Sequence, residues 1–333
     1  MKSPKRLKIL LTGSSGQVGQ ALQARLSSQH EVIAPQRGQM DLSNRDAIDS
    51  TLEKFAPDLI INPAAYTAVD QAESDQAAAH SINALAPAAM AQYARKHQIG
   101  LIHFSTDYVF NGESGTVLNS PDETALAYTE EQHCQAINVY GQTKRAGELA
   151  IIDSDCKHLI LRTSWVYSLH GKNFLLTMLK LAQERSSLNI VNDQWGAPTS
   201  ADFLAQHTCN IIEQNLDAEN TEAWWQTHQG VYHLCPSGTT NWLGFASEIM
   251  RLAADLKLLE QITPTVPSLN GIPSSAYPTP AKRPHNSRLD TQKFQAKFGL
   301  PLADWQSVLR SCLAQHSRLQ NQQPPSFNSG DPR

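Results

Sequence analysis

Tyr140 and Lys144 stand four residues apart in the run Asn138-Val139-Tyr140-Gly141-Gln142-Thr143-Lys144. On a helix that spacing puts both side chains on one face. A free phenol has a pKa of about 10 and exchanges protons poorly at neutral pH. A neighbouring ammonium favours the phenolate and lowers that value. The pair therefore has the chemistry to protonate an alkoxide formed when hydride reaches a ketone. A solvated helix face carries the same two residues, so the pair needs support from elsewhere in the chain.

That support begins near the N-terminus. Lys8 to Thr12 is a short apolar run that reads as a buried strand. It leads into Gly13-Ser14-Ser15-Gly16-Gln17-Val18-Gly19 and then into the helical spacing of Ala21, Leu22, Ala24 and Leu26. Strand, glycine turn and helix form the context of a dinucleotide site. Gly13 is expected to make the turn, Gly16 to let the backbone approach a pyrophosphate, and Gly19 to pack the helix closely. A second apolar run, from Leu101, ends in Ser105-Thr106-Asp107. Ligands of open α/β sheets bind beyond the carboxyl ends of strands, so Thr106 is expected to share a crevice with Tyr140. Its hydroxyl can donate to a substrate carbonyl oxygen.

The elements that must position these residues alternate. Strands are expected at 7–12, 31–34, 58–62, 100–105 and 159–164, with helices near 17–28, 45–55, 76–97 and 142–152. This order predicts a mainly parallel sheet covered on both faces. Val231-Tyr232-His233-Leu234 is expected to return to that sheet. Residues 1–170 are expected to form a dinucleotide-binding domain with returning segments near 190–235, and 171–314 mainly a substrate-binding domain that includes a 172–185 helix. The segment 315–333, almost without apolar residues, is expected to be a disordered tail.

The cofactor's phosphate pattern is argued from the second strand. Its end, Ala34-Pro35-Gln36-Arg37, has no acid for a ribose hydroxyl and offers Arg37 for a 2′-phosphate, which points to NADPH. A net charge of −4 gives no electrostatic case for nucleic acid or a membrane surface. Cysteines 134, 156, 209, 235 and 312 are odd in number and lack C-x-x-C spacing, as in reduced cytoplasmic proteins. No run approaches the roughly 20 apolar residues of a spanning helix. Ile9 to Leu11 is too short for the apolar part of a signal peptide.

Taken together, the residues resemble the extended short-chain dehydrogenase/reductase family from Ile9 to about Arg310. The resemblance is carried by GSSGQVG from Gly13, AAYTAVDQAES from Ala64, STDYVF from Ser105 and NVYGQTKRAGE from Asn138. RTSWVY from Arg162, NDQWGAPT from Asn192 and YPTPAKRPHNSRLD from Tyr277 continue it. It implies a Rossmann-type doubly wound parallel sheet with a smaller, interleaved C-terminal substrate-binding domain. It implies reduction of the C4 ketone of a nucleotide sugar, dTDP-4-dehydro-L-rhamnose, by NADPH, with NADH as a second donor. Mg²⁺ and a homodimer are further family features. Thr106, Tyr140 and Lys144 match catalytic positions, and Asp107 and Trp165 match sugar contacts. Gln17 and Val18 fall in the fingerprint, Asp41 and Leu42 beside the adenine, and Ala65, Tyr66 and Thr67 along the dinucleotide. Lys172, Asn173 and Arg283 are candidates for the nucleotide diphosphate.

Some relatives are excluded and others stay open. Dehydratases of this family carry Thr-Asp-Glu where this chain has Thr106-Asp107-Tyr108, and a phenol cannot replace that carboxylate. An epimerase also uses Tyr and Lys but needs no net reductant. A non-catalytic dinucleotide-binding subunit, like the regulatory β subunit of methionine adenosyltransferase, is the reading from a different class. The stretch between Phe110 and Tyr140 is longer than the family pattern, with extra residues around 124–136. It reads as a surface excursion beside the crevice, with a lid or a shift in sugar preference as the alternative. His133 and Cys134 are too few to make a metal site.

Overall fold

The structure is a computed structural model and describes residues 6–113, 127–258 and 266–322. Six parallel strands form the central sheet: β1 (Lys8–Leu11), β2 (Glu31–Ile33), β3 (Leu59–Asn62), β4 (Gly100–Thr106), β5 (Lys157–Thr163) and β6 (Gly230–His233). Their order is β6-β5-β4-β3-β1-β2. β3 and β4 are buried along their whole length, as expected of strands covered on both faces. Connections run one way from β1 to β2 and the other way from β3 onward. The order therefore reverses between β1 and β3, and a ligand crevice opens at such a point. The late strand expected at 231–234 is β6, at the sheet edge.

Apolar residues fill both faces. Leu22 and Leu26 of helix Gln17–Leu26 pack with Phe203, Leu204, Trp225 and Phe294 on one face. Ile48, Leu52, Met90 and Ile151 pack on the other. A separate cluster joins Leu175, Met178, Phe245, Ile249, Trp305 and Leu309. These come from helices Phe174–Glu184, Trp242–Asp255 and Trp305–Gln322, the first of them close to the helix expected at 172–185.

One expectation is corrected and two are refined. Helix Trp305–Gln322 extends through 315–322, because buried Trp305, Leu309 and Leu313 nucleate a helix that its polar residues continue. The rest of the expected tail, 323–333, lies outside the described residues. The helix expected over 76–97 is present and carries a π turn at Ser81–Leu85, between Gln76–His80 and Ala86–His97. Within that turn Asn83 accepts from Tyr66 N at 2.8 Å and donates to Thr143 Oγ1 at 3.1 Å. The π turn thus fixes the loop after β3 to helix Val139–Asp153.

The third concerns the excursion after Phe110. Residues 114–126 lie outside the described residues; Glu131, Gln132 and His133 are exposed, as expected of a surface excursion, while Tyr128, Glu130 and Cys134 are tied to the body of the protein. The Tyr128 ring stacks on Phe110 at 4.1 Å, and Glu130 Oε1 accepts the backbone N–H of His233 at 2.8 Å. A carboxylate thereby satisfies a donor on edge strand β6, which blunts an open sheet edge. Arg162 Nη2 donates to Cys134 Sγ at 3.3 Å, which ties the same segment to β5.

Candidate active site

A cleft of ≈ 680 Å³ runs across the carboxyl ends of β1, β3, β4 and β5. That is large enough for a sizeable ligand. Gly13, Gly16, Gln17, Val18 and Gly19 line one end. Gly13 has φ +58°, and a Cβ there would lie 2.9 Å from the backbone of Ala64. A Cβ on Gly19 would lie 2.0 Å from Gly13 O, so only glycine lets the helix sit on its own turn. Helix Gln17–Leu26 has no side-chain cap and no acid in its first turn. Its free N–H groups and dipole suit a phosphate, so the site fits a dinucleotide. Gln17 Oε1 accepts from Ser168 Oγ at 3.0 Å and from Asn173 Nδ2 at 2.9 Å, which joins this helix to the far wall.

Thr106, Asp107, Tyr140 and Lys144 line the same cleft. Asn138 caps helix Val139–Asp153 through Gly141 N, which places Tyr140 in the first turn. The Tyr140 phenol is pushed up to about 12 by burial, partly offset by a hydrogen bond with Thr106. The Thr106 hydroxyl also donates to Asp107 Oδ1 at 3.0 Å. Asp107 is raised to about 6 by burial, against hydrogen bonds from Ser287 and Thr106.

Lys144 is buried and differs from expectation in its aim. Its Nζ donates to Phe104 O at 2.6 Å and meets His103 Nε2 at 3.0 Å. Burial lowers it to about 8, partly offset by Glu148. The expected depression of the Tyr140 pKa is therefore absent: burial of the phenol outweighs the offset, which comes from Thr106.

Trp165 lines the cleft with φ 48°, a left-handed backbone unusual for a bulky residue. Its ring is stacked on Trp242, with centroids 3.7 Å apart. Trp242 also lines the cleft and had no local sequence signal, because it stands on a helix far along the chain. Ala65 and Thr67 line the cleft as well. Tyr66 turns aside, and its hydroxyl donates to Asp75 Oδ2 at 3.3 Å.

The remaining candidates sit at the margins. Arg37 is exposed after β2, next to Gln36, whose amide donates to Ser14 Oγ at 3.3 Å. Asp41 accepts from Ser43 N and is held below the usual carboxylate range mainly by Ser43. Leu42 packs against the core beneath helix Arg45–Phe55. Lys172 lines the cleft, while Asn173 caps helix Phe174–Glu184. Arg283 forms a two-point ion pair with Asp70, at 2.6 and 2.8 Å, so its guanidinium already has an anion. Among the described residues no cluster of three or more His, Cys, Asp or Glu side chains is arranged for a metal. No helix among them is long and apolar enough to cross a membrane.

The family model described as RmlD substrate binding domain matches residues 7–318. The dTDP-4-dehydrorhamnose reductase of Escherichia coli (strain K12) is 43% identical over 311 residues, covering 92% of this chain and 97% of that protein. The Salmonella typhimurium (strain LT2) protein of the same name is 42% identical, covering 93% and 98%. The crystal structure of dTDP-4-dehydrorhamnose reductase from Bacillus anthracis in complex with NADP is 27% identical, with a TM-score of 0.81, covering 93% of this chain and 100% of that one.

Proposed function

The chain belongs to the RmlD substrate binding domain family, and on that premise we infer that it reduces the C4 ketone of dTDP-4-dehydro-6-deoxy-L-mannose (dTDP-4-dehydro-L-rhamnose) with NADPH. The product is dTDP-L-rhamnose, and the reaction is the final step of its synthesis. One observation carries the chemistry: Thr106, Tyr140 and Lys144 line one cleft, and that cleft starts at the uncapped glycine-turn helix.

NADPH, when bound, supplies the hydride to C4. Gly13, Gly16, Gln17, Val18 and Gly19 would hold its pyrophosphate, with Ala65 and Thr67 beside the dinucleotide. Arg37, exposed in the loop after β2, is the proposed partner of a 2′-phosphate, with Asp41 and Leu42 following it; an Arg37-independent NADPH preference would remove that role. Tyr140 retains its proton through neutral pH and delivers it to the oxygen on C4. Thr106 would turn its one hydroxyl proton from Asp107 Oδ1 to the same oxygen and hold charge that develops there. Lys144 is buried one helical turn away with its Nζ on Phe104 O and His103, and would favour the phenolate left behind only by turning toward the cleft. Trp165 and Trp242 offer an apolar wall for the deoxysugar, with Asp107 as a polar contact.

Incubation with NADPH and enzymatically prepared dTDP-4-dehydro-L-rhamnose tests the reading. One equivalent of NADPH should be oxidised per dTDP-L-rhamnose formed. Conversion of substrate without net oxidation would instead place the chain among epimerases, and inactivity of the folded protein would favour a binding subunit. Mg²⁺ and a homodimer extend the proposal from family resemblance alone; turnover after chelation and light scattering test them.

A further inference from the structure

Beneath the cleft a line of buried polar side chains crosses the sheet. Thr12 follows β1, Asn62 ends β3 and His103 lies opposite Asn62 on β4. Thr12, Asn62, His103 and Lys144 are each no more than 2% exposed. Thr12 Oγ1 meets Asn62 Oδ1 at 2.6 Å, Asn62 Nδ2 meets His103 Nδ1 at 3.0 Å, and His103 Nε2 meets Lys144 Nζ at 3.0 Å.

Proton counting allows two arrangements. With the Asn62 N–H donated to Nδ1, the neutral imidazole carries its proton on Nε2 and must donate to an uncharged Lys144 amine. If Lys144 is an ammonium it donates to Nε2, so the ring proton moves to Nδ1. The Asn62 amide then turns its oxygen to His103 and its N–H to Thr12. His103 stays neutral in both, because burial and the neighbouring Lys144 hold its pKa well below the ordinary value.

We propose that His103 is a positioning residue whose tautomer follows the charge of Lys144, and that Asn62 carries the change to the Thr12 hydroxyl beside the glycine turn. The inference rests on the reductase reading for its catalytic consequence, but not for the tautomer itself. Among the described residues, His103 on β4 and Glu148 on its own helix are the titratable groups that act on Lys144, and Tyr140 stands one helical turn before it. Glu148 is itself paired with Arg162 on β5 and with Arg145.

The test is ¹⁵N NMR of the histidine-labelled full chain between pH 6 and 10, with the His103 signal assigned by His103→Gln. The expected result is an Nδ1–H ring at pH 6 that becomes Nε2–H as Lys144 loses its proton near its value of about 8. A single tautomer throughout, or an imidazolium, would overturn the proposal even if the protein reduces no ketone. In turnover, His103→Leu should lose about tenfold in kcat, with its alkaline limb moved to lower pH, as one hydrogen bond to a charged group is lost. His103→Gln, which keeps an acceptor for Lys144, should restore most of both. Equal loss in the two variants with an unmoved pH profile would reduce His103 to a packing role and also overturn the proposal.

Discussion

The indole of Trp165 lies flat against that of Trp242, 3.7 Å away with 9° between the ring planes, while the Trp165 backbone sits at φ 48°. Gly196 leaves room for it, since a Cβ there would come within 2.8 Å of the Trp165 ring. Stacking and a missing side chain together hold an aromatic residue in a conformation that costs roughly 1–3 kcal/mol. Strain kept inside a cleft serves orientation.

Trp242→Ala removes the stacked partner and lets Trp165 relax. KM for the sugar nucleotide should rise about tenfold, consistent with an aromatic contact worth ~0.5–1.5 kcal/mol, while KM for NADPH stays nearly constant. Steady-state kinetics in each substrate checks this, and an equal rise in both constants would contradict it.

Tyr140→Phe removes the proposed proton donor without emptying its place. kcat should fall by about 10²–10⁴ while NADPH affinity, measured by fluorescence titration, changes little.

Lys144 gives a stability signature with a definite sign. Its folded pKa, about 8, is below its ordinary 10.5, so the unfolded chain binds the extra proton between those values. Stability therefore rises with pH across that window, is fully gained above 10.5 and is lost as pH falls through 8. Lys144→Met lacks this slope. The stability of wild type minus that of Lys144→Met, from urea titrations, should climb from pH 8 to 10.5. A flat difference would show that the lysine is not desolvated as described.

Glu148 and Arg162 form a buried two-point pair, with Nε and Nη2 each 2.8 Å from a carboxylate oxygen. Glu148→Gln leaves the guanidinium buried without its counter-charge and should cost roughly 3–5 kcal/mol, read from urea midpoints. Replacing both with apolar residues of similar volume should cost far less.

Arg37→Ala tests the phosphate assignment. kcat/KM with NADPH should fall about tenfold and that with NADH should hold, as one phosphate contact is lost. An unchanged ratio between the two donors would discard Arg37.

Much of this was legible in local pattern. Lys8 to Leu11 is apolar and precedes three spaced glycines, so strand, turn and helix follow from near neighbours. Tyr140 and Lys144 share a helix face at any position in any fold. The π turn at Asn83 was not legible, because it exists to satisfy Tyr66 and Thr143, partners on other elements. The docking of Tyr128 and Glu130 was not legible for the same reason: their partners, Phe110 and His233, are set by the sheet edge.

By itself the sequence determined the alternating architecture, the glycine turn and the spacing of Tyr140 and Lys144 on one helix face, since each depends on residues within a few positions of one another. The tertiary structure decided where those groups aim. It turned Lys144 onto Phe104 O and His103, occupied Arg283 with Asp70, and brought Trp242 to Trp165. Burial and hydrogen bonds between distant segments set those directions and the accompanying pKa values, and neither is encoded in spacing along the chain.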